Sequence, residues 1–341
     1  MLWPFVNGEV HLYCLLLSQE SEAPTAINCS MSAKFLFLEL VFDGFVGGVN
    51  RPVIQPFLTH YFSEVNVMTI IIGIGSYAAG LSTYLATLAY HQKHQVKSLK
   101  VLSCQVTPIS ADARQLSDQA ENILKEQVML EAGKLYHSFC DHPLYSFTIT
   151  LEIKGLFWAK NTEEVSFGIY DMPDNLLRDI KEFSSSHSFT EYYDDLFSDI
   201  GGYFLPIDGT SHREDEVYAK SLEKFTTDLT QRNPQGCRIA FAVTKCDLSE
   251  LWVNRDYPRG LVQRRFPKMY AILENWTQED KGKVEYFTTS SFGVFGQYCD
   301  PNSIIQSKSK EGTLAVIRNP QEWQPFGLIE PLYWLCTGKM L

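Results

Sequence analysis

Two stretches far apart in the chain have residue types that could hold a nucleotide. The first is Gly75-Ser76-Tyr77-Ala78-Ala79-Gly80-Leu81-Ser82. It matches the phosphate-loop pattern GxxxxGK[ST], except that Leu81 stands where the lysine belongs. In that pattern, backbone N–H groups of the loop and of the following helix wrap a phosphate. Glycines let the backbone come close, and the hydroxyl, here Ser82, ligates Mg²⁺. The lysine bridges the outer phosphates and neutralises transition-state charge, which Leu81 cannot do. The candidate phosphate-binding set runs from Gly75 through Thr83. The second stretch is Thr244-Lys245-Cys246-Asp247, which matches the guanine-reading pattern [NT]KxD. The Asp247 carboxylate would accept a pair of hydrogen bonds from the base edge. The Lys245 stem would lie along the ring face and brace the loop.

Two further positions extend the constellation. Asp171 ends the run Phe167-Gly168-Ile169-Tyr170 and is followed by Met172-Pro173-Asp174. In a DxxG arrangement the aspartate holds the Mg²⁺ shell and the glycine N–H meets the γ-phosphate. Here Asp174 occupies the glycine position, and its carboxylate would repel that phosphate unless the loop turns it away. Read alone, Asp171 simply ends a strand and caps a helix. Thr289-Ser290-Ser291-Phe292-Gly293 offers a backbone N–H that could meet the guanine carbonyl, as any polar turn after a strand would. Each motif is weak singly. Their order, each after a predicted strand, places them on the edge where open α/β sheets bind ligands.

The elements that must position these residues are legible as alternating strands and helices. Met68 to Ile74, Gly202 to Asp208, Arg238 to Thr244 and Val284 to Thr289 are apolar runs suited to strands buried on both faces. Ser146 to Lys154 alternates and should pair with Val165 to Asp171. Helices are expected at Gly80 to Gln92, Asp112 to Glu126 with Ser110 as N-cap, Asn175 to Phe183, along the Tyr218, Leu222, Phe225, Leu229 stripe, near Val262 to Trp276, and at Ile329 to Cys336. Residues 297–323 read as a polar loop. Residues 1–67 have no sustained period and are expected to be an extension of unclear fold that need not be native, with Met68 as an alternative start. The remaining 68–341 form one nucleotide-binding domain.

Composition narrows the classes. The formal net charge is −11, which disfavours a nucleic-acid or anionic-membrane surface. No apolar run is long enough for a membrane span. Eight scattered cysteines without a CxxC pair read as reduced thiols in a cytoplasmic chain. His91 with His94, and Cys140 with His137 and His142, lack the partners for a metal site. Arg178 and Arg213 read as surface ion-pair residues, with substitute phosphate cations as the alternative.

Residues 68–337 resemble the bacterial translation-factor-related (TRAFAC-class) P-loop GTPase domains, of the double-GTPase sort. The resembling stretches are Ile70 to Leu88, Ser166 to Ile180, Ala240 to Leu248, Tyr286 to Gly293 and Phe326 to Leu335. The resemblance implies a three-layer α/β P-loop NTPase fold, mostly parallel with an antiparallel edge strand. It implies GTP or GDP with Mg²⁺ as ligands, with Ser82 and Asp171 on the metal. Gly75 to Thr83, Thr244, Lys245, Asp247, Ser290 and Ser291 would hold the nucleotide. Departures at Leu81, Asp174 and Asn175 point to weak or absent hydrolysis in a regulatory module. Thr107 is the candidate for the switch threonine. The alternatives are an interaction scaffold with an empty pocket, and a GTPase whose cation comes from a protein partner.

Overall fold

The computed structural model describes residues 68–90, 98, 100–126, 142–155, 160–173, 176–180, 196–197, 200–233, 236–296, 299–309 and 312–341. The expected N-terminal extension lies outside them, as do Asp174, Asn175, His91, His94, His137 and Cys140.

The strands are β1 (Thr69–Gly73), β2 (Val101–Pro108), β3 (Leu144–Lys154), β4 (Lys160–Asp171), β5 (Gly202–Asp208), β6 (Arg238–Thr244) and β7 (Lys283–Thr288). They form one seven-stranded sheet in the order β2-β3-β4-β1-β5-β6-β7. Strands β4, β1, β5, β6 and β7 run parallel. β3 is antiparallel to both of its neighbours, so the antiparallel strand lies one position in from the edge and β2 takes the edge itself. The alternation over residues 146–154 has its cause in this pairing, with Phe147, Ile149 and Leu151 turned into the core.

Both faces of the sheet are covered, which makes the fold a three-layer α/β structure. On one face lie α4 (Asp215–Arg232), α6 (Pro258–Arg265) and α7 (Pro267–Gln278). Their Tyr218, Leu222, Phe225, Leu261 and Leu273 pack with Tyr203, Leu205, Ile207, Ile239, Phe241 and Val243. On the other face lie α1 (Leu81–Thr87), α2 (Ala111–Glu126) and α8 (Glu330–Thr337). Their Leu85, Leu116 and Leu332 share a core with Ile71, Phe204, Ala240 and Ala242. The two-residue period of a strand sends alternate side chains to opposite faces, so a strand in this position must be apolar throughout. β5 is buried at every position.

Short α3 (Leu176–Asp179) and α5 (Ser249–Trp252) complete the helices used below. Ser110 Oγ accepts the Ala113 N–H at 3.2 Å and caps α2 as expected. The single helix expected near Val262 to Trp276 is instead α6 and α7, parted at Phe266 because Pro267 opens the second helix and cannot continue the first. The expected polar loop at 297–323 contains an antiparallel hairpin, β8 (Ser303–Ser309) with β9 (Gly312–Ile317). The first helix is shorter than expected, ending at Thr87 with a 3₁₀ turn over Leu88–Tyr90. Among the described residues, no helix is long and apolar enough to cross a membrane.

Candidate functional site

Because β1, β5 and β6 are parallel neighbours, the loops that leave their carboxyl ends share one edge. β1 and β6 are two strand positions apart, about 10 Å at ordinary strand spacing. A nucleotide can span that distance.

The loop after β1 stays on β5 before it turns. The Ile74 N–H donates to the Phe204 carbonyl and the Ser76 N–H to the Pro206 carbonyl, both at 2.9 Å. The fully buried Ser76 hydroxyl accepts the Asp208 N–H at 2.8 Å. The Ala79 N–H donates to the Ser76 carbonyl at 3.0 Å and closes the turn. Ala78 (φ 56°) and Gly80 (φ 82°) are left-handed. The N–H groups of Ser76, Tyr77 and Ala79 donate to the Pro206 carbonyl, the Tyr218 hydroxyl and the Ser76 carbonyl, so the loop is held by bonds within the protein. At Gly80 a Cβ would meet open space, so glycine is required there by conformation alone. At Gly75 a Cβ would make only ordinary contacts, the nearest being Pro206 at 3.4 Å.

Leu81 does not lie over this loop. It is 3% exposed and belongs to the core that α1 shares with the sheet. A Cβ on Gly73 would sit 2.7 Å from its Cδ2 atom and 3.6 Å from Ile169 Cδ1. The residue in the lysine position is therefore a packing residue. Thr83 sits in the first turn of α1, where its carbonyl accepts the Thr87 hydroxyl at 2.9 Å.

Ser82 and Asp171 are brought together. β4 runs beside β1 with Gly73 level with Asp171, and the Met172 N–H donates to the Gly73 carbonyl at 3.0 Å. This register sets the Asp171 carboxylate against the start of α1, where Ser82 Oγ donates to Oδ2 at 2.6 Å. A hydroxyl and a carboxylate at that separation form an all-oxygen pair of the type hard divalent cations prefer.

On the base side, Lys245 is left-handed (φ 60°), which turns its side chain back over the end of β5. Its Nζ meets Asp208 Oδ2 at 2.5 Å. Thr244 Oγ1 donates to the Ile207 carbonyl at 3.3 Å. Asp208 Oδ1 also accepts the Thr210 N–H at 2.8 Å and its hydroxyl at 2.7 Å. Asp208 thus joins the phosphate loop, through Ser76, to the base loop, through Lys245. No sequence motif marked it. The one available signal was an acid ending the apolar run 202–208.

Asp247 is 4% exposed and accepts the Ser290 hydroxyl at 2.6 Å. Ser290 Oγ in turn accepts the Gly293 N–H at 2.9 Å. The two loops assigned to the base are therefore in contact. The Ser291 carbonyl is bound by Trp323 Nε1 at 2.8 Å. Burial raises the Asp247 carboxyl above the usual aspartate range, while the Ser290 bond and the charge of Lys245 pull it back in part.

A pH dependence follows from that shift. The folded carboxyl holds its proton more tightly than the unfolded one, so the ligand-free fold loses stability as pH rises from the ordinary aspartate range through the raised value. A base contact made by the carboxylate needs the opposite state. Affinity for a guanine nucleotide should therefore climb with pH across the same window, while the ligand-free urea midpoint falls. Calorimetry and urea titration from about pH 4 upward check both slopes, and Asp247→Asn should flatten them.

Thr107 is not part of this edge. It is exposed on β2, three strand positions from β1. Its register partner Thr148 faces Ser166, next to the Phe167 that pairs with Thr69. That places Thr107 level with the amino end of β1, so the switch-threonine expectation fails on strand register.

No family model matches the chain, and no curated protein matches it. Solved structures align with part of it at low identity. One is the signal recognition particle receptor SRb-GTP/SRX complex from Chaetomium thermophilum, 14% identical over 69% of this chain and 95% of that chain, with a TM-score of 0.36. Another is the S. cerevisiae Ski7 GTPase-like domain bound to GDP and inorganic phosphate, 12% identical over 69% of this chain and 45% of that one, with a TM-score of 0.33. Likeness at this level leaves the function to be argued from the site.

Proposed function

We propose that residues 68–341 form a module that binds a guanine nucleotide with Mg²⁺ and hydrolyses it weakly or not at all. The observation that carries this reading is the chain of contacts from Ser76 through Asp208 to Lys245, which ties the phosphate-type loop to the base-type loop. Gly75 to Thr83 would take the phosphates. Thr244, Lys245, Asp247, Ser290 and Ser291 would take the base. Ser82 and Asp171, already within 2.6 Å of each other, fit the metal, whose chemistry would be to offset phosphate charge. Leu81 brings no cation to that charge, and the loss falls most heavily on a transition state.

The full chain should give a calorimetric signal with GDP and with GTP in Mg²⁺, none with ATP, and a weaker one in excess chelator. Silence with both guanine nucleotides would end this reading. A second reading draws on the same bonds. Lys245 is paired with Asp208, Asp247 with Ser290, and Ser82 with Asp171. A site whose polar groups satisfy one another can also serve as a rigid scaffold for a protein partner. Silence in calorimetry together with capture of a partner would favour that alternative.

A further inference from the structure

The phosphate loop has a charged neighbour that its sequence pattern does not include. The Tyr77 N–H donates to the Tyr218 hydroxyl at 3.2 Å. Burial pushes the Tyr218 phenol up to about 12 against the pull of the Tyr77 amide, and Glu214, at hydrogen-bonding range, raises it as well. The phenol therefore stays protonated and joins the loop backbone to Glu214. Glu214 Oε2 in turn pairs with Arg178 Nη2 at 3.2 Å. Both side chains are partly exposed, 44% for Arg178 and 40% for Glu214.

The backbone of Arg178 is firmly placed. The two residues before it, Leu176 and Leu177, are buried, and its carbonyl accepts the Ser221 hydroxyl from α4 at 3.0 Å. The guanidinium thus sits on a fixed base with a side chain able to turn. Two other described cations beside these loops have less exposed side chains, Lys245 at 29% and Arg265 at 20%. Lys245 is held by Asp208, and Arg265 by the Gly209 carbonyl and Glu250. Arg213 is exposed, whereas Arg178 pairs with Glu214 and its charge acts on Tyr218.

From this arrangement we infer that Arg178 is the phosphate-binding cation of the site, held by Glu214 until a γ-phosphate draws it across Tyr218 to the loop. The inference rests on the guanine-nucleotide reading above. It concerns the third phosphate alone, so it predicts a change in discrimination between nucleotides.

The test is calorimetry of the full chain with GDP and with a non-hydrolysable GTP analogue in Mg²⁺, for the wild type, Arg178→Ala, Arg178→Lys and Glu214→Gln. Arg178→Ala should lower affinity for the triphosphate about ten- to a hundredfold, the worth of one charge-assisted hydrogen bond, and leave GDP within about twofold. Arg178→Lys should recover part of the loss, because it restores a point charge without the fork. Glu214→Gln should raise triphosphate affinity by releasing the guanidinium. A merely structural role for Arg178 would weaken both nucleotides alike. An unchanged triphosphate-to-diphosphate ratio in Arg178→Ala, with GDP still bound, overturns the arginine assignment and spares the nucleotide reading. No binding of either nucleotide by the wild type overturns both.

Discussion

Leu81→Lys should unfold at a clearly lower urea concentration than the wild type, a loss of about 2–4 kcal/mol. The lysine is what the phosphate-loop pattern asks for, so the naive expectation is repair. Packing says otherwise. Leu81 is 3% exposed and lies over Gly73 beside Ile169. A lysine there has two choices. Its ammonium can stay in the apolar core and lose hydration, or its stem can swing toward the loop and leave the leucine volume empty. Snorkelling of the methylenes lowers the cost without removing it. Leu81→Met is the control, since a swap of similar volume should cost less than about 1.5 kcal/mol. If the lysine swings out, Mg·GTP should restore part of the lost stability by mass action, and GDP should restore less. An unchanged urea midpoint for Leu81→Lys would show that position 81 is not a packing position and that α1 does not seat on the sheet through its first residue.

What was legible in the sequence follows the range over which each feature is encoded. Strands covered on both faces have no polar phase, so Gly202–Asp208 and Arg238–Thr244 were bounded to the residue from apolar content alone. The hairpin β8–β9 was not, because Ser, Gln and Lys dominate the segment Ser303–Ser309 and its pairing partner is defined only by the fold. Pro267 was visible, yet the apolar residues on either side of it share one core and read as one helix. The site divides in the same way. Ser82, Asp171, Lys245 and Asp247 sit in local patterns whose spacing carries their chemistry. Asp208 has no pattern. Its place depends on β5 lying between β1 and β6, which only strand order supplies. The direction of Leu81 was equally hidden, since a motif position fixes where a Cα lies and says nothing of what the side chain packs on.

Asp208→Ala should therefore have an effect larger than any motif analysis would assign it. The Asp208 side chain is 9% exposed and that of Lys245 is 29% exposed. Removing one member of a buried ion pair costs about 3–5 kcal/mol. Residual water at Lys245 screens part of this, so about 2–3 kcal/mol is expected for this pair. The Thr210 N–H and hydroxyl lose their acceptor at the same time. Asp208→Asn keeps an acceptor for Thr210 and removes the charge, so it separates the ion pair from the turn. The pairing also bears on function, because Lys245 is held at a left-handed φ of 60°, which a side-chained residue adopts only at a cost of about 1–2 kcal/mol. Its bond to Asp208 offsets that strain. Without it, the loop bearing Asp247 is free to relax, and guanine-nucleotide affinity should drop by more than about tenfold. A double-mutant cycle with Lys245→Ala isolates the contact. Coupling of about 1.5–3 kcal/mol in both stability and binding is the expected outcome. Coupling in stability with none in binding would mean that the link from Ser76 through Asp208 to Lys245 braces the sheet edge without joining a phosphate site to a base site.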